Sequence, residues 1–437
     1  MSIYLKNIKN FKQNFNVINE NKTLFGEVRT DFKLIHKMFK LIPDVYFTMP
    51  EKKWLDPSCG TGYFMIVLYF KLFKFLKNII TDDLTRHNHI INNMLYMVEF
   101  NIEHIATLKH IFGNNANIFH ENFLSFNKIK PDFIIGNPPY NVNGSIKCPT
   151  SNNDKNNDGY TIWCEFVKHS IHLLPDNGHL LMITPSIWMK RDYSLHYFIT
   201  QFKLIINTLN SSETNSIFHG KAQLPTCYFH LTKYPSNKDV IIYDNISQKY
   251  ITFPFDNNSI PLKNISIIKK FLPYVKKFGC LKVHKTNIPP GFRRKHNKTI
   301  ISDKYSIDTP YINIKTCIKK NNQPILIHNF TSEKCPYADT PKIVLAHKMY
   351  GYPFYDNIGE YGISNRDIYV ITGKNNVEFH KIKLFLLSDI ISNLYESTRY
   401  RMRYLEKYIF DMIPDITNIP DFPIIINNDT ITNYFNL

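Results

Sequence analysis

Five short apolar runs punctuate the first half of the chain, and each stops at a polar or glycine-bearing corner. They are Trp54–Asp56, Leu95–Phe100, Asn117–His120, Phe133–Gly136 and His179–Thr184. Their length and composition predict buried strands. Helical patterns lie between them: Phe32, Ile35, Phe39 and Ile42 at helical spacing, then Phe64 to Leu76, Ile102 to Ile111, and Ile162 to Leu174. Strands alternating with such helices point to a mainly parallel α/β sheet. Sheets of that kind take ligands just past the carboxyl ends of their strands. After about Pro235 the rhythm breaks. Val240–Tyr243, Tyr311–Ile314 and Lys342–Leu345 read as strands between long polar connections, and a helical pattern runs from about Val377 to Met412. A domain boundary is expected near 235–245, dividing 1–238 from 239–437. No internal repeat is evident.

Composition narrows the class. Hydrophobic residues make up 43% of the chain, enough for a large core, and 53 Lys and Arg against 36 Asp and Glu give a net charge of +17. An excess of that size favours a polyanionic partner, most simply nucleic acid. The abundance of Ile, Asn, Lys and Tyr is also what an AT-rich genome would produce, so charge alone leaves the matter about even. The seven cysteines are scattered singly, with no C-x-x-C pair. That argues against a disulfide framework or a zinc site and for a reducing, cytoplasmic setting. The N-terminal MSIYLKNIKNFKQNF carries no signal-like apolar core. The greasiest run, FMIVLYFKLFKFL, is interrupted by Lys71 and Lys74 and is too short to span a bilayer. It reads as a buried helix.

Three corners carry chemistry. In DFIIGNPPYN, Asp132–Asn141, two consecutive prolines end a buried strand, because neither can donate a backbone hydrogen bond. Taken alone this is a turn more often than an active site. In WLDPSCGTGYF, Trp54–Phe64, a strand ends at Asp56, Gly60 and Gly62 allow a tight loop, and a helix begins. Glycines there let backbone approach a ligand at the helix N-terminus. There is no Lys-Ser/Thr pair for a phosphate, and the Asp56 carboxylate suits a cationic ligand instead. Glu99, closing LYMVE, could accept from both hydroxyls of a ribose. Asn141–Asp158 is polar with Gly and Pro, and reads as a mobile loop behind NPPY.

In this order the motifs resemble S-adenosylmethionine-dependent amino-methyltransferases, and more closely the gamma-order N6-adenine DNA methyltransferases of the TaqI-like group with their NPPY motif. The resemblance covers most of the chain. It implies a Rossmann-like S-adenosylmethionine-dependent methyltransferase sheet followed by a C-terminal α+β target-recognition domain, with S-adenosyl-L-methionine as cofactor and no metal. GEVRT, ending at Thr30, is similar to the segment near the cofactor's methionine. Asp56, Pro57, Ser58, Cys59, Gly60 and Gly62 match the methionine-binding loop, and Glu99 the ribose acceptor. ENFLSF matches the adenine-binding turn, with Asn122 as an acceptor and Phe123 against the adenine. Asn137, Pro138, Pro139 and Tyr140 form the catalytic motif. Phe166 matches a residue of the following helix, and Phe218 an aromatic that stacks on a flipped base. TPKIVLAHK and FDMIPDI resemble parts of the recognition domain. Three features depart from the pattern. Asn122 stands where Asp is usual, Thr30-Asp31 replaces Thr-Pro, and the gap from Gly62 to Glu99 suggests an insertion around Thr81–Asn93.

The resemblance gives the proline corner a chemical reading. An adenine amine is a poor nucleophile because its lone pair is delocalised into the ring. The Asn137 side-chain carbonyl and the Pro138 backbone carbonyl would accept its N–H groups, the prolines preorganise both oxygens, and Tyr140 would stack on the base. Alignment does most of the remaining work. The base must leave the duplex, with Tyr140 and Phe218 as its clamp. The acid-free segment Lys276–Thr299, including Arg293, Arg294 and Lys295, is expected to face DNA. Arg399, Arg401 and Arg403 could face DNA or solvent, and His347 is read as structural. The expected partner is double-stranded DNA, with a separate restriction endonuclease chain left open, no membrane, no fused nuclease, and a monomeric state. Two alternatives stand beside the DNA reading. One is an NPPY methyltransferase acting on RNA or a protein glutamine; the other is a non-catalytic DNA-binding subunit.

Overall fold

The computed structural model describes residues 30–141, 161–220, 222–255, 258–286, 299–320, 323–346, 352–365, 368–401 and 405–437. The chain divides into two compact units, residues 1–188 with 192–242, and residues 189–191 with 243–437.

In the first unit the strands are β1 (Trp54–Asp56), β2 (Leu95–Glu99), β3 (Asn117–His120), β4 (Phe133–Gly136), β5 (His179–Pro185), β6 (Phe202–Leu209), β7 (Thr226–Pro235) and β8 (Asp239–Asp244). Their order across the sheet is β3-β2-β1-β4-β5-β7-β6-β8. The first five are mutually parallel, and β7 lies antiparallel between β5 and β6. All four residues of β4 and all seven of β5 are buried. Strands covered on both faces read as continuous apolar runs, which is why these two are legible in sequence. β6 and β7 fall outside the five runs. They complete a Rossmann-like α/β sheet with an antiparallel insertion.

From β1 the chain builds outward to β2 and β3, then returns to lay β4 and β5 on the other side of β1. The winding therefore reverses between β1 and β4, and such sheets bind their ligands past the carboxyl ends of the strands at that point. The opposite, amino ends of these strands are pinned by stacked rings in register. Trp54 pairs with Phe133 and Phe133 with His179. The Trp54–Phe133 centroids are 3.8 Å apart at 15°, and Phe133–His179 4.5 Å at 17°. Offset stacking of this kind adds about 0.5–1.5 kcal/mol per pair beyond the area buried.

The helices of this unit are α1 (Phe32–Phe39), α2 (Tyr63–Phe75), α3 (Asp83–His89), α4 (Ile102–Phe112), α5 (Trp163–Leu173), α6 (His196–Thr200) and α7 (Ser211–Ile217). α2 is apolar nearly all round and buries Tyr63 to Tyr69 and Leu72. It packs against α1, β2 and the turn Asp44–Thr48, so it has almost no solvent face. The region expected as an insertion folds as α3 and a π-helical turn, Ile90–Met94. Arg86 there is 1% exposed, donates to the Ile80 and Thr81 carbonyls, and lies 4.0 Å over the Phe73 ring.

The second unit contains β9 (Lys249–Pro254), α8 (Ile265–Phe278) and two four-stranded sheets. One sheet joins β10 (His284–Lys285), β17 (Ile368–Ile371), β14 (Lys342–Ala346) and β15 (Pro353–Asp356); the other joins β11 (Ile301–Ser302), β13 (Gln323–Thr331), β12 (Tyr311–Lys320) and β16 (Gly362–Ile363). Ile314, Val344, Ile363, Ile368 and Val370 form a core between them. TPKIVLAHK contributes β14. Lys342 and Asp356 are a buried ion pair, and Asp356 also accepts from the Glu360 and Tyr361 backbone N–H groups. The helical pattern expected over Val377–Met412 is not one helix. It is broken into Asn376–Leu387, Asp389–Leu394 and a 3-10 turn at Lys407–Met412. Ser388 sits at the first break, where its hydroxyl accepts from Ile391 N–H and starts the second piece. Among the described residues, no helix is long and apolar enough to cross a membrane.

Candidate active site

Asp56 ends β1, Glu99 ends β2, Asn122 follows β3 and Asn137 follows β4. Two carboxylates and two amides thus leave the same edge of one parallel sheet, around the reversal between β1 and β4. Nothing but the topology brings them together, since Asp56 and Asn137 are 81 positions apart.

The loop after β1 is tied down at three points. Ser58 N–H donates to Asp56 Oδ1 at 3.1 Å, Cys59 N–H to the Val98 carbonyl at 3.1 Å, and Gly60 N–H to Glu99 Oε2 at 2.7 Å. Gly60 and Gly62 both have positive φ, +53° and +90°, a region that L side chains rarely adopt. They differ in surroundings. A Cβ on Gly62 would lie 2.9 Å from the Phe112 ring, whereas one on Gly60 meets nothing within 4 Å. Gly62 is therefore small for packing, and Gly60 borders open space. Gly136, just before NPPY, is a third close approach, because a Cβ there would sit 2.9 Å from Asp56 Oδ1. The bare strand end lets the Asp56 carboxyl lie directly beside it.

Asp56 is 1% exposed, and burial pushes its carboxyl up to about 8, against the backbone donor from Ser58 and with a further push from the Glu99 charge. A carboxyl held this way is starved of a counter-ion and suits a cationic ligand. Glu99 is 7% exposed and accepts Asn101 N–H on Oε1 at 2.7 Å, while Oε2 takes Gly60. Each oxygen retains a lone pair for a ligand hydroxyl. A buried acid beside an open glycine corner, with a second carboxylate fixed by two backbone donors, fits a molecule with a cationic end and a vicinal diol. Among the described residues, no group of His, Cys, Asp and Glu is arranged to hold a metal ion.

The NPPY corner is held from both sides. Asn137 Nδ2 donates to the Thr30 hydroxyl at 3.1 Å, and Ser58 Oγ donates to the Asn137 carbonyl at 3.3 Å. Thr30 is 3% exposed. Pro138 is buried; Asn137, Pro139 and Tyr140 are half-buried. The Tyr140 hydroxyl is buried, no described group hydrogen-bonds it, and burial with the nearby Cys227 thiol drives it far above the usual phenol range. Cys227 is itself 0% exposed and accepts Trp188 Nε1–H at 3.2 Å. The hydroxyl end of the ring is thus buried without a hydrogen bond to a described group. Ile162 N–H donates to the Tyr140 carbonyl at 3.2 Å, and Asn141 bridges Thr161. These contacts draw together the two ends of the connection that follows the motif.

Other expected residues take different places. Phe123 is 2% exposed and packs on Phe166 at 5.3 Å and on His169 at 4.9 Å. The Asn122 Oδ1 caps the short turn Phe123–Ser125 by accepting Leu124 N–H at 3.0 Å. Phe218 departs from its expected role. It is 1% exposed and lies within the apolar core cluster, at the end of α7, so its ring does not face the surface as a base clamp would. Arg293, Arg294 and Lys295 lie outside the described residues, as do His347 and Arg403. Sequence reading overlooked Gly136, whose bare Cα is what admits Asp56, and His104, which faces Glu99 from α4. A glycine directly before Asn137 was the available signal for the first. The second had none, because the pairing depends on the strand-to-helix turn.

Residues 65–218 match the family model described as Eco57I restriction-modification methylase. No curated protein matches the chain. Among solved structures, the nuclease-deletion mutant of the Type ISP restriction-modification enzyme LlaGI, in complex with a DNA substrate mimic, is similar over 91% of this chain and 53% of that one, with 13% identity and a TM-score of 0.50. A modification subunit of a putative type I restriction enzyme from Vibrio vulnificus matches over 54% and 50% at 14% identity, with a TM-score of 0.38. The EcoKI M protein of a type I restriction enzyme matches over 54% and 51% at 18% identity, with a TM-score of 0.36. The chain spans about half the length of these proteins. With the family match, the motifs establish a resemblance to restriction-modification N6-adenine DNA methyltransferases.

Proposed function

We propose that this chain transfers a methyl group from S-adenosyl-L-methionine to the N6 amino group of an adenine flipped out of double-stranded DNA, as the modification enzyme of a restriction-modification system. The observation that carries this reading is the junction at the sheet reversal. The NPPY corner and the Asp56–Glu99 loop meet there, linked through Ser58 and the Asn137 carbonyl at 3.3 Å. Donor and acceptor sites for one transfer are therefore adjacent and share a rigid edge.

S-adenosyl-L-methionine, when bound, supplies a methyl group already activated by its sulfonium. Asp56 would face the cationic end, and Glu99 would accept from the ribose hydroxyls. Because Asn137 Nδ2 is engaged by the Thr30 hydroxyl, its Oδ1 is turned the other way and serves as acceptor for an amine N–H. The Pro138 carbonyl is the second acceptor, and two such acceptors localise the amine lone pair. Pro138 and Pro139 stiffen the corner, so this arrangement is set before the substrate arrives. Tyr140 offers its ring to the base. The second unit would read the DNA site, with the basic segment ending at Thr299 supplying phosphate contacts. A partner endonuclease on a separate chain fits the same system.

The test is methyl transfer from labelled S-adenosyl-L-methionine to unmethylated duplex DNA, structured RNA and a release factor in parallel, with modified nucleosides identified by mass spectrometry. N6-methyladenine in DNA is the expected product. Label confined to RNA or protein would overturn the substrate assignment. Cofactor binding with no transfer to any of the three would favour a non-catalytic DNA-binding subunit.

A further inference from the structure

We infer that His104 is a positioning residue for Glu99, fixing the carboxylate that receives the cofactor's ribose; this rests on the cofactor assignment above. His104 lies in the first turn of α4, and its Nδ1 is 3.7 Å from Glu99 Oε1. Both side chains are sequestered, at 10% and 8% exposure, so water does not screen the contact.

The local fold makes the pairing unavoidable. Glu99 closes β2, and α4 begins three residues later. Asn101 caps the helix, taking Glu103 N–H on its side chain at 3.0 Å and His104 N–H on its carbonyl at 3.1 Å. Its own N–H meanwhile goes to Glu99 Oε1 at 2.7 Å. The cap that starts the helix therefore also sets the distance from His104 to the carboxylate. Gly60 holds Oε2 from the opposite side. Each carboxylate oxygen takes one backbone donor, and the imidazole lies 3.7 Å behind Oε1, where it limits the rotation those two bonds still allow. Without His104, Oε1 would keep one anchor and gain room to rotate. A diol needs both oxygens in one plane, so such rotation weakens diol recognition in particular.

The experiment compares binding of S-adenosyl-L-methionine with that of an analogue lacking both ribose hydroxyls, by calorimetry on the full chain. His104→Ala, His104→Gln, Glu99→Gln and the Glu99→Gln/His104→Ala double variant are each measured, with thermal melts of the ligand-free proteins. In the wild type the hydroxyls should strengthen binding. His104→Ala should reduce that advantage by a few-fold, the scale of a close polar contact that at 3.7 Å stops short of a hydrogen bond. His104→Gln, which keeps a polar side chain of similar reach behind Oε1, should recover most of it. The double variant should be no worse than Glu99→Gln alone, because both changes remove one effect. Equal weakening of both ligands by His104→Ala, or additive losses in the double variant, would overturn the inference. If the wild type binds the cofactor without preferring the hydroxyls, the ribose assignment of Glu99 fails first and the inference falls with it.

Discussion

The Asn137 side-chain amide donates to the Thr30 hydroxyl at 3.1 Å, tying the first residue of the NPPY corner to a buried threonine 107 positions earlier. An asparagine side chain can turn either end outward, and with its amide toward Thr30 the carbonyl oxygen is turned away from that hydroxyl. Replacing Asn137 with Ala should leave cofactor affinity within a few-fold and lower transfer by at least about 10²-fold, the scale of one lost preorganised acceptor. Thr30→Val keeps the shape and removes the acceptor for Nδ2. It should lower the transfer rate by about tenfold with little change in cofactor affinity. Single-turnover rates beside equilibrium binding separate the two effects. A Thr30→Val enzyme at full rate would mean that the Asn137 amide is oriented by something else.

Gly60 and Gly62 sit two residues apart in one loop and should fail differently. Gly62→Ala forces a methyl to 2.9 Å from Phe112 and 3.0 Å from Leu108 at φ +90°. It should cost about 2–3 kcal/mol of stability, read by urea denaturation. Gly60→Ala meets no atom within 4 Å and carries only the left-handed backbone cost, about 1–2 kcal/mol. Its methyl would enter the space reserved for ligand, so cofactor affinity should fall well beyond the stability change. Equal behaviour of the two variants would contradict the assignment of Gly60 to the ligand side.

What could be read from sequence follows physical lines. β1, β2, β4 and β5 were legible because buried parallel strands are apolar runs that end in marked corners, whereas β3 is a partly exposed edge strand, not the buried one its sequence suggested. β7 was not, since TCYFHLTKYP mixes His and Thr with aromatics, and its antiparallel place between β5 and β6 breaks the rhythm of alternating strand and helix. The late helical pattern misled because apolar spacing survives across Ser388, while the chain direction does not. At the site, Asp56, Glu99 and Asn137 declared themselves at strand ends. Phe218 was assigned by likeness alone, and packing against the core decided otherwise. The difference is that strand-end chemistry is a local property, whereas the direction in which an aromatic ring points depends on everything around it.

At the amino end of β5, His179 meets His230 from the middle of the antiparallel β7, His230 Nε2 lying 3.1 Å from His179 Nδ1. Burial, with Lys52 nearby, depresses His179 to about 4; burial, with His179 itself, depresses His230 to about 3. Both values lie below the ordinary 6.5, so the folded state prefers neutral rings. Their stabilising contribution is present above pH 6.5 and is lost as pH falls through about 4. Between those values the unfolded chain binds up to two more protons, so stability should fall by roughly 2–3 kcal/mol per pH unit from this pair. Denaturant melts of the wild type and His230→Leu at pH 7 and pH 5 check it. The variant should lose less stability between the two pH values. Parallel curves would show that the acid sensitivity arises elsewhere.

Asp56 reverses that sign and links it to binding. Its carboxyl, raised to about 8 by burial, is protonated in most ligand-free molecules at neutral pH. The protonated form favours the folded chain below the ordinary carboxylate range, and that advantage is lost as pH rises through about 8. A cationic ligand prefers the ionised form, so binding near pH 7 must expel a proton. Affinity for S-adenosyl-L-methionine should therefore rise by nearly tenfold per pH unit between pH 6 and 7 and level off above about 8. Calorimetry in buffers of different ionisation enthalpy should register release of close to one proton at pH 7. Asp56→Asn should abolish both the slope and the proton release, and bind weakly at every pH. A wild-type affinity that is flat from pH 6 to 8, with no proton released, would mean that the ligand's cationic end lies away from Asp56.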